Sequence, residues 1–572
     1  MTTSPSFNHV QPLSPWAQII KELLSTALAH HQNSQFAAAD FLYKKILKAE
    51  PNNVVAIQLS GVLAYQIQKF ELSLNLLSRA ISLKPDYAEA LNNRGIVFKE
   101  LRRFDEAIAD YDKAISLKPD YVDALYNRGI IFKELRRFDE AIADYDKTIS
   151  LKPNHIEALN NRGLVMQELK SFDDAIADYD RAVSLKPDNV NALYNRGLVM
   201  QELKRFDEAM TDYDKAISLK PDYIDALNNR GLVLQELRRF DEAEANYDKA
   251  ISLQPDYVDA PLNKALQLLL QGEFASGWEH YEWRWKATQL SSLARKFAQP
   301  LWLGKEDLRD KTILLHWEQG LGDTIQFSRY AQTIANLGCK TILEVQEPLF
   351  ELMTGIEGVD ELIANGTDLP PFDFYCPLMS LPLALGTTLK TIPSATSYLR
   401  STDDKLAKWS NRLGPKSKPR VGIMWSGNPI HKNDHNRSIS LEKILDAVPE
   451  GFEIVSLQKE VRENDLNVLE HSKQVQHFGA ELDDFTDTAA FCELMDVIVS
   501  VDTSVAHLAG ALGKPVYLLL PYTPDFRWLL DRHDSPWYPS MTLLRQGPER
   551  LWEPVLDEVT VRLDHTECYS TS

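Results

Sequence analysis

The stretch AEALNNRGIVFKELRRFDEAIADYDKAISLKPDY, residues 88–121, decides the reading of the first half of the chain. Small Gly95 and Ala107 and bulky Phe98, Leu101, Phe104, Tyr111, Ile115 and Leu117 fall at helical spacings in two segments, which predicts a pair of antiparallel helices. Gly95 lets the helices approach where a side chain would hold them apart, and Tyr111 is expected to fill the space between neighbouring units. Pro119 ends the second helix, since it lacks the N–H that would continue it. The unit recurs. Prolines stand at Pro51, Pro85, Pro119, Pro153, Pro187, Pro221 and Pro255, each 34 residues after the last.

Working outward, the small residue repeats at Gly61, Gly95, Gly129, Gly163, Gly197 and Gly231, and the aromatic at Tyr111, Tyr145, Tyr179, Tyr213 and Tyr247. The pattern resembles the tetratricopeptide repeat. That resemblance implies an α-solenoid of about eight units over residues 20–291, five of them near-copies, behind a polar tail at 1–19. Units starting near residues 20 and 54 are degenerate, and so is 258–291, which replaces the glycine by Ala265 and carries Trp278, Tyr281, Trp283 and Trp285. This aromatic cluster is expected to cap the solenoid and dock onto the next domain.

A solenoid of this kind presents the first helix of each pair on its inner face. Asparagine recurs there at Asn93, Asn127, Asn161, Asn195, Asn229 and Asn263. A side-chain amide donates and accepts at once, so a ladder of amides can hold the backbone of an extended protein or peptide acceptor whatever its sequence. The arrangement resembles in part the O-linked N-acetylglucosamine transferases, in which a similar ladder holds the protein substrate. The plainer alternative is that asparagine is common at this repeat position, and that Lys99, Glu100, Arg102 and Arg103 form a solvated face.

The chain has 572 residues, 44% hydrophobic and 25% charged, enough for several domains. With 82 acidic against 62 basic residues its net charge is −20, which disfavours a nucleic-acid partner while leaving room for a locally basic pocket. Cys339, Cys376, Cys492 and Cys568 are too dispersed for a metal knuckle and too few to staple the fold, so a reducing cytoplasm is expected and no metal. Residues 1–14 lack the apolar run of a signal peptide, and no apolar stretch of about 18 residues predicts a membrane span.

Beyond residue 300 the period vanishes, and short apolar strands alternate with helical segments, predicting two parallel sheets built from βαβ units. Strands are expected at Thr312 to Trp317, Thr341 to Val345 and Phe372 to Cys376 in a half spanning 292–400. A second half, 415–566, is expected to hold strands at Arg420 to Trp425, Phe452 to Leu457, Val497 to Val501 and Val516 to Leu520. The intervening Leu399 to Lys418, rich in Lys and Ser, reads as a crossover linker. Two Rossmann-like halves facing a cleft make the GT-B fold common among nucleotide-sugar glycosyltransferases, although fold alone proves no chemistry.

Three motifs carry the chemistry. Glu318-Gln319-Gly320-Leu321-Gly322-Asp323-Thr324 follows the first strand, its glycines suiting a tight turn with exposed N–H groups before a helix. It is neither a dinucleotide fingerprint, since Ile325 takes the place of the third glycine, nor a nucleoside-triphosphate loop. Asp323 stands where a general base would deprotonate an acceptor hydroxyl, or else it caps its helix. Val421-Gly422-Ile423-Met424-Trp425-Ser426-Gly427-Asn428 ends in a small-residue turn followed by His431, Lys432, Asp434, Asn436 and Arg437, which suits a diphosphate. Asp502-Thr503-Ser504 opens a helix whose N–H groups and hydroxyls can bind phosphate oxygens, with His507 one turn on.

The Gly322-Asp323 turn with Asp502-Thr503-x-x-x-His507-x-Ala509-Gly510 resembles the heptosyltransferase-like glycosyltransferases, family 9, over most of residues 310–560. The resemblance implies Asp323 as base, Arg437 with Ser426 on phosphate, and Thr503, Ser504 and His507 cradling the donor diphosphate. Gly320, Gly322, Lys432 and Asp502 complete the expected donor site. Ser504 stands where heptosyltransferases usually carry glycine, and Pro524-Asp525-Phe526-Arg527-Trp528 and Trp537-Tyr538-Pro539 also differ from them. The whole chain resembles bacterial proteins that join tetratricopeptide repeats to such a domain. The expected function is therefore inverting, metal-independent transfer of a sugar, without a cofactor, from a nucleotide-sugar donor to a protein or peptide chosen by the repeats. A non-catalytic repeat scaffold that docks partners or senses a nucleotide sugar is the alternative, and an epimerase or hydrolase of the same fold ranks third.

Overall fold

The computed structural model describes residues 15–287, 294–431 and 433–570. The chain forms two compact units, Met1–Val233 and Leu234–Ser572, divided inside the helix Ile224–Glu236.

The first unit is a run of antiparallel helix pairs, of which Ala88–Glu100 with Phe104–Leu117 is typical. Its first helix, Pro15–Gln32, begins within the stretch expected as a polar tail. A Cβ on Gly95 would lie 2.7 Å from the ring of Tyr111, and one on Gly129 would lie 2.8 Å from Tyr145. The tyrosine therefore fills space inside its own helix pair, against the glycine sixteen residues earlier, and Tyr111 also belongs to a core that includes Leu77 of the preceding unit and Ala124 of the next. Between units arginine adds polar ties. Arg128 donates to both oxygens of buried Asp144 at 2.8 and 2.6 Å and reaches back to Asp112 of the preceding unit at 2.5 Å. Arg196 repeats this with Asp212 and Asp180.

The second unit starts with the last repeats, Phe240–Leu253, Asp259–Gln271 and Phe274–Tyr281, followed by the turn Glu282–Lys286. Trp278 is buried with its ring edge-on to Phe526 at 5.7 Å and to Phe327 at 6.0 Å, so the aromatic cluster docks these repeats onto the α/β region. Beside it, fully buried Arg284 donates to Glu318 at 2.7 and 3.0 Å, to Glu282 at 2.6 Å and to Ser380 at 2.7 Å. Glu318 also accepts the N–H of Met379. A buried arginine is tolerated only when its donors are matched in this way.

The α/β region contains two all-parallel sheets. The first holds β1 (Thr312–His316), β2 (Lys340–Val345), β3 (Glu361–Ala364) and β4 (Phe374–Pro377) in the order β3-β2-β1-β4. The second holds β5 (Arg420–Met424), β6 (Glu453–Ser456), β7 (Val475–His477), β8 (Val497–Val501), β9 (Val516–Leu520) and β10 (Met541–Arg545) in the order β10-β9-β8-β5-β6-β7. The three strands that the sequence does not announce, β3, β7 and β10, all lie at sheet edges, where a strand is not covered on every side and need not be a continuous apolar run. The expected linker at Leu399 to Lys418 is instead largely the helix Asp403–Leu413, capped by Thr402. Its Trp409 is buried and donates to Asp487 at 2.7 Å, and Lys405 reaches the same carboxylate at 2.8 Å. The charges that suggested a linker belong to its outer face and to this pairing.

Candidate functional site

Open parallel sheets bind ligands at the carboxyl ends of their strands, where the strand order reverses. In the second sheet that point lies between β5 and β8, and in the first between β1 and β4. β5 runs into Ser426, β8 into Asp502 and β1 into the Glu318 to Asp323 turn. All three turns line one cleft of about 1000 Å³ between the two sheets. Gly320, Gly322, Asp323, Ser426, Arg437, Asp502, Thr503, Ser504 and His507 all face it. Lys432 lies outside the described residues.

The helices Leu321–Phe327 and Ser504–Ala511 meet at the cleft, and Gly322 is why they can. A Cβ there would stand 3.0 Å from the His507 ring and 3.4 Å from the Ser504 Cα. Neither Gly320 nor Gly322 has the left-handed backbone that a glycine-dependent turn would require, so close approach explains this pair better than the tight turn expected from sequence.

Asp323 is held at both oxygens. Its Oδ2 accepts the N–H of Gly320 at 2.7 Å, closing the start of its own helix, and its Oδ1 accepts from Arg527. Burial pushes its carboxyl above the ordinary aspartate range, while Arg527 and the Gly320 N–H pull it back. Capping and availability to a substrate thus meet in one side chain. Asp502 is pushed up to about 6 by burial and then by the neighbouring Asp525 carboxylate, with Arg437 acting in the opposite sense.

Arg437 donates to the Asp502 carbonyl at 2.8 Å and lies against Gly427, where a Cβ would approach its Nη2 to 2.6 Å. It therefore joins the loop after β5 to the end of β8. Arg462 braces the same loop through the Gly427 carbonyl at 3.0 Å, Ser438 at 3.0 Å and Asp434. Around the cleft, Ser426 Oγ, Thr503 Oγ1 and the Nε atoms of Arg462 and Arg527 are buried without a hydrogen-bond partner, while Arg437 Nε has only the Asp434 carboxylate, at 3.5 Å. His507 is buried, stacked on Trp528 at 5.2 Å, with Nδ1 3.0 Å from the Tyr538 hydroxyl and Nε2 3.8 Å from Asp502. Burial and three nearby arginines push it well below its ordinary value, so it is a neutral ring at pH 7.

Sequence reasoning did not assign Arg462 or Arg527. Arg527 sits in a segment noted only for differing from the family, and nothing local marks Arg462, which reaches the site through the fold.

In the solenoid, the ladder asparagines are partly used by the repeats themselves. Asn127 donates to Asn92 at 3.1 Å, Asn161 to the Tyr126 hydroxyl at 2.9 Å and Asn229 to the Tyr194 hydroxyl at 2.8 Å, each 35 residues back. Asn161 also accepts from Lys133 at 2.7 Å. Asn93, Asn195 and Asn263 are half-buried at the same register. Asn127, Asn161 and Asn229 thus tie their repeats to the ones before, and Asn127 keeps a second N–H and its carbonyl as capacity for a further partner.

Fold and site together define a tetratricopeptide solenoid, a scaffold for protein interaction, continued by an α/β region with a polar cleft between parallel sheets. The tetratricopeptide repeat family matches residues 88–121, 122–155 and 224–257, and a further TPR repeat family matches 168–204 and 202–237. The chain is 26% identical over 324 residues to Protein FlbA of Caulobacter vibrioides, which covers 52% of this chain and 53% of FlbA. It spans about half the length of that curated relative. Similar solved structures include YrrB, a TPR protein with an unusual peptide-binding site (24% identity, TM-score 0.29, 32% of this chain and 95% of that one). MamA (28% identity, TM-score 0.27, 28% and 94%) and a tetratricopeptide repeat protein from Parabacteroides merdae (19% identity, TM-score 0.35, 44% and 99%) are also similar. No helix among the described residues is long and apolar enough to cross a membrane.

Proposed function

We propose that the chain is a cytoplasmic, GT-B-type glycosyltransferase of the heptosyltransferase-like kind, using a nucleotide-sugar donor and a protein or peptide acceptor chosen by the repeats. The observation that carries this reading is the set of buried polar atoms without a hydrogen-bond partner, on Ser426, Thr503, Arg462 and Arg527, around one cleft at the strand ends. Buried donors and hydroxyls are ordinarily satisfied, and a diphosphate offers the acceptor oxygens they lack. The first N–H groups of the helix Ser504–Ala511 have no partner within their helix and favour the same charge.

In this mechanism the acceptor oxygen attacks the anomeric carbon from the face opposite the leaving group, and its proton passes to Asp323. The bond from that carbon to the diphosphate breaks, and its electron pair departs on the nucleoside diphosphate. Arg437 and the Ser504 helix start stabilise that charge, a role that preorganised donors fill well. No metal or cofactor takes part. Incubating the full chain with a panel of nucleotide sugars and a cell extract, with Asp323→Asn alongside, tests the reading. Transfer should appear in the parent chain and fall on the order of 100-fold in the variant.

A second reading follows from Asp323 being engaged at both oxygens. If the carboxylate only closes its helix and pairs with Arg527, the region is a non-catalytic partner-docking or nucleotide-sugar-sensing domain. Donor binding without transfer would then be found in parent and variant alike.

A further inference from the structure

We propose that Arg527 is a ligand-exchanging residue of the cleft, which gives up Asp323 to a donor phosphate and so couples nucleotide binding to release of the candidate base. The inference rests on the nucleotide-sugar reading above and adds a residue and a regulation to it.

Arg527 sits in the short turn Phe526–Trp528, after β9, and its guanidinium lies over the Phe526 ring at 4.4 Å. The side chain is 9% exposed and borders the cleft. One terminal nitrogen donates to Asp525 at 2.7 Å and the other to Asp323, while its Nε is buried without a partner. A guanidinium has five N–H donors in a fixed fork that matches carboxylate and phosphate alike. Arg527 is thus an arginine with donor capacity to spare, anchored by an aromatic face and by Asp525.

Its two carboxylates differ in what ties them down. Asp323, which lines the cleft, is also held by the Gly320 N–H, so losing Arg527 leaves it with one partner and its second oxygen without one. Asp525 accepts the Arg527 backbone N–H at 3.0 Å and travels with the arginine. A phosphate that takes a terminal Arg527 donor therefore displaces Asp323, bound to Arg527 by its side chain alone, more readily than Asp525, which also holds the backbone N–H. The exchange keeps Arg527 paired throughout, since one anionic partner replaces another. It leaves Asp323 Oδ1 without its cation, which raises its affinity for a proton at the moment when an acceptor hydroxyl can supply one.

Competition has a signature that a fixed structural pair lacks. The full chain and its Arg527→Gln, Arg527→Lys, Asp323→Asn and Arg527→Gln/Asp323→Asn variants would be titrated calorimetrically with ADP, CDP, GDP and UDP in turn, and the folded state of each checked by its thermal midpoint. Arg527→Gln should weaken the diphosphate that the parent binds by roughly tenfold or more, and Arg527→Lys, which keeps the charge but loses the fork, by less. Asp323→Asn should bind the same diphosphate several-fold more tightly than the parent, because the competitor is gone, and this gain should vanish when Arg527→Gln is added. Unchanged affinity in folded Arg527→Lys and Arg527→Gln, or no gain in Asp323→Asn, would overturn the exchange while leaving the nucleotide reading in place. If the parent binds none of the four nucleotides, the nucleotide reading itself fails and the exchange with it.

Discussion

The repeats and the α/β region solve the same problem, burying polar groups, at opposite sequence ranges. In the solenoid the partners of Arg128 lie sixteen residues away on either side, and the amide of Asn127 reaches thirty-five residues back. In the α/β region Arg329 is satisfied by the Pro393 carbonyl and the Tyr398 hydroxyl of one loop and by the Trp537 carbonyl of another, 64 to 208 residues away. A contact at fixed short range repeats with the sequence, so losing one disturbs a unit and its neighbours. A contact gathered from distant segments has no copy to fall back on.

The largest effect should therefore come from Arg284. Its side chain is fully buried and matched to Glu318, Glu282 and Ser380, and Arg284→Ala leaves the Glu318 carboxylate buried without its cation. Removing one partner of such a pair costs about 3–5 kcal/mol. Urea unfolding should show the loss in the transition of the second unit, while a helical signal from the first persists. Arg284→Met with Glu318→Leu should be milder than Arg284→Ala alone, because no charge is then stranded. A single transition shifted equally in all variants would break the comparison by showing that the two units unfold together.

The same contrast explains what could be read beforehand. The 34-residue proline period and the Gly95 and Tyr111 positions announce helix pairs because each repeat restates the constraint. β1, β5, β8 and β9 are legible as short apolar runs since they are covered on both faces, whereas edge strands β3 and β7 offer only a few half-buried residues. Asp323, Ser426, Arg437, Thr503 and His507 could be nominated from local turns and from resemblance, but their meeting at one cleft could not be. Arg527 and Arg462 join that cleft through the fold, and no spacing in the sequence links residue 527 to residue 323. The Asn ladder was legible as a period, yet its use in joining repeat to repeat depends on residues such as Tyr126 and Tyr194 at a neighbouring position.

Next in size is a pH effect at the cleft. Asp502 is raised from the ordinary aspartate value to about 6, with burial first and Asp525 second among the causes. A folded-state pKa above the unfolded one means that the carboxyl costs nothing at pH values below both, and that stability is lost as pH rises through about 4 to 6. Asp502→Asn keeps the shape and the backbone carbonyl that Arg437 uses. It should stabilise the second unit on the order of 1–3 kcal/mol at pH 7, with parent and variant converging near pH 4. Urea midpoints at pH 4, 5, 6 and 7 check this, and a pH-independent difference would count against it.

In the solenoid the comparable error is steric. Gly129→Ala places a methyl 2.8 Å from the Tyr145 ring, which must shift within a buried helix pair. Overpacking of this kind costs on the order of 1–3 kcal/mol. Adding Tyr145→Phe should recover little, since the clash is with ring carbons and not the hydroxyl, whereas Tyr145→Leu should recover part. The loss should fall on the first unit alone, read by the helical signal during thermal unfolding.

The smallest effect lies at the turns within each repeat. Arg102, Arg136, Lys170 and Lys204 all adopt left-handed backbone, with φ of 56°, 58°, 59° and 59°. The turn is a Schellman closure, in which the Arg103 N–H reaches the Phe98 carbonyl at 2.8 Å and the Arg102 N–H reaches Lys99 at 2.9 Å. A side chain in this conformation costs about 1–2 kcal/mol, but glycine gives back about 0.5–1 kcal/mol through its freer unfolded chain. Arg102→Gly should therefore stabilise the first unit by less than about 1 kcal/mol, since its side chain is exposed and little packing is lost. The control is Lys99→Gly, three residues earlier inside the helix, which should destabilise by about 1 kcal/mol. Opposite signs at positions three residues apart would attribute the effect to backbone conformation. If both variants lose stability equally, the turn tolerates its left-handed residue at no cost, and the Arg102 side chain contributes more than its exposure suggests.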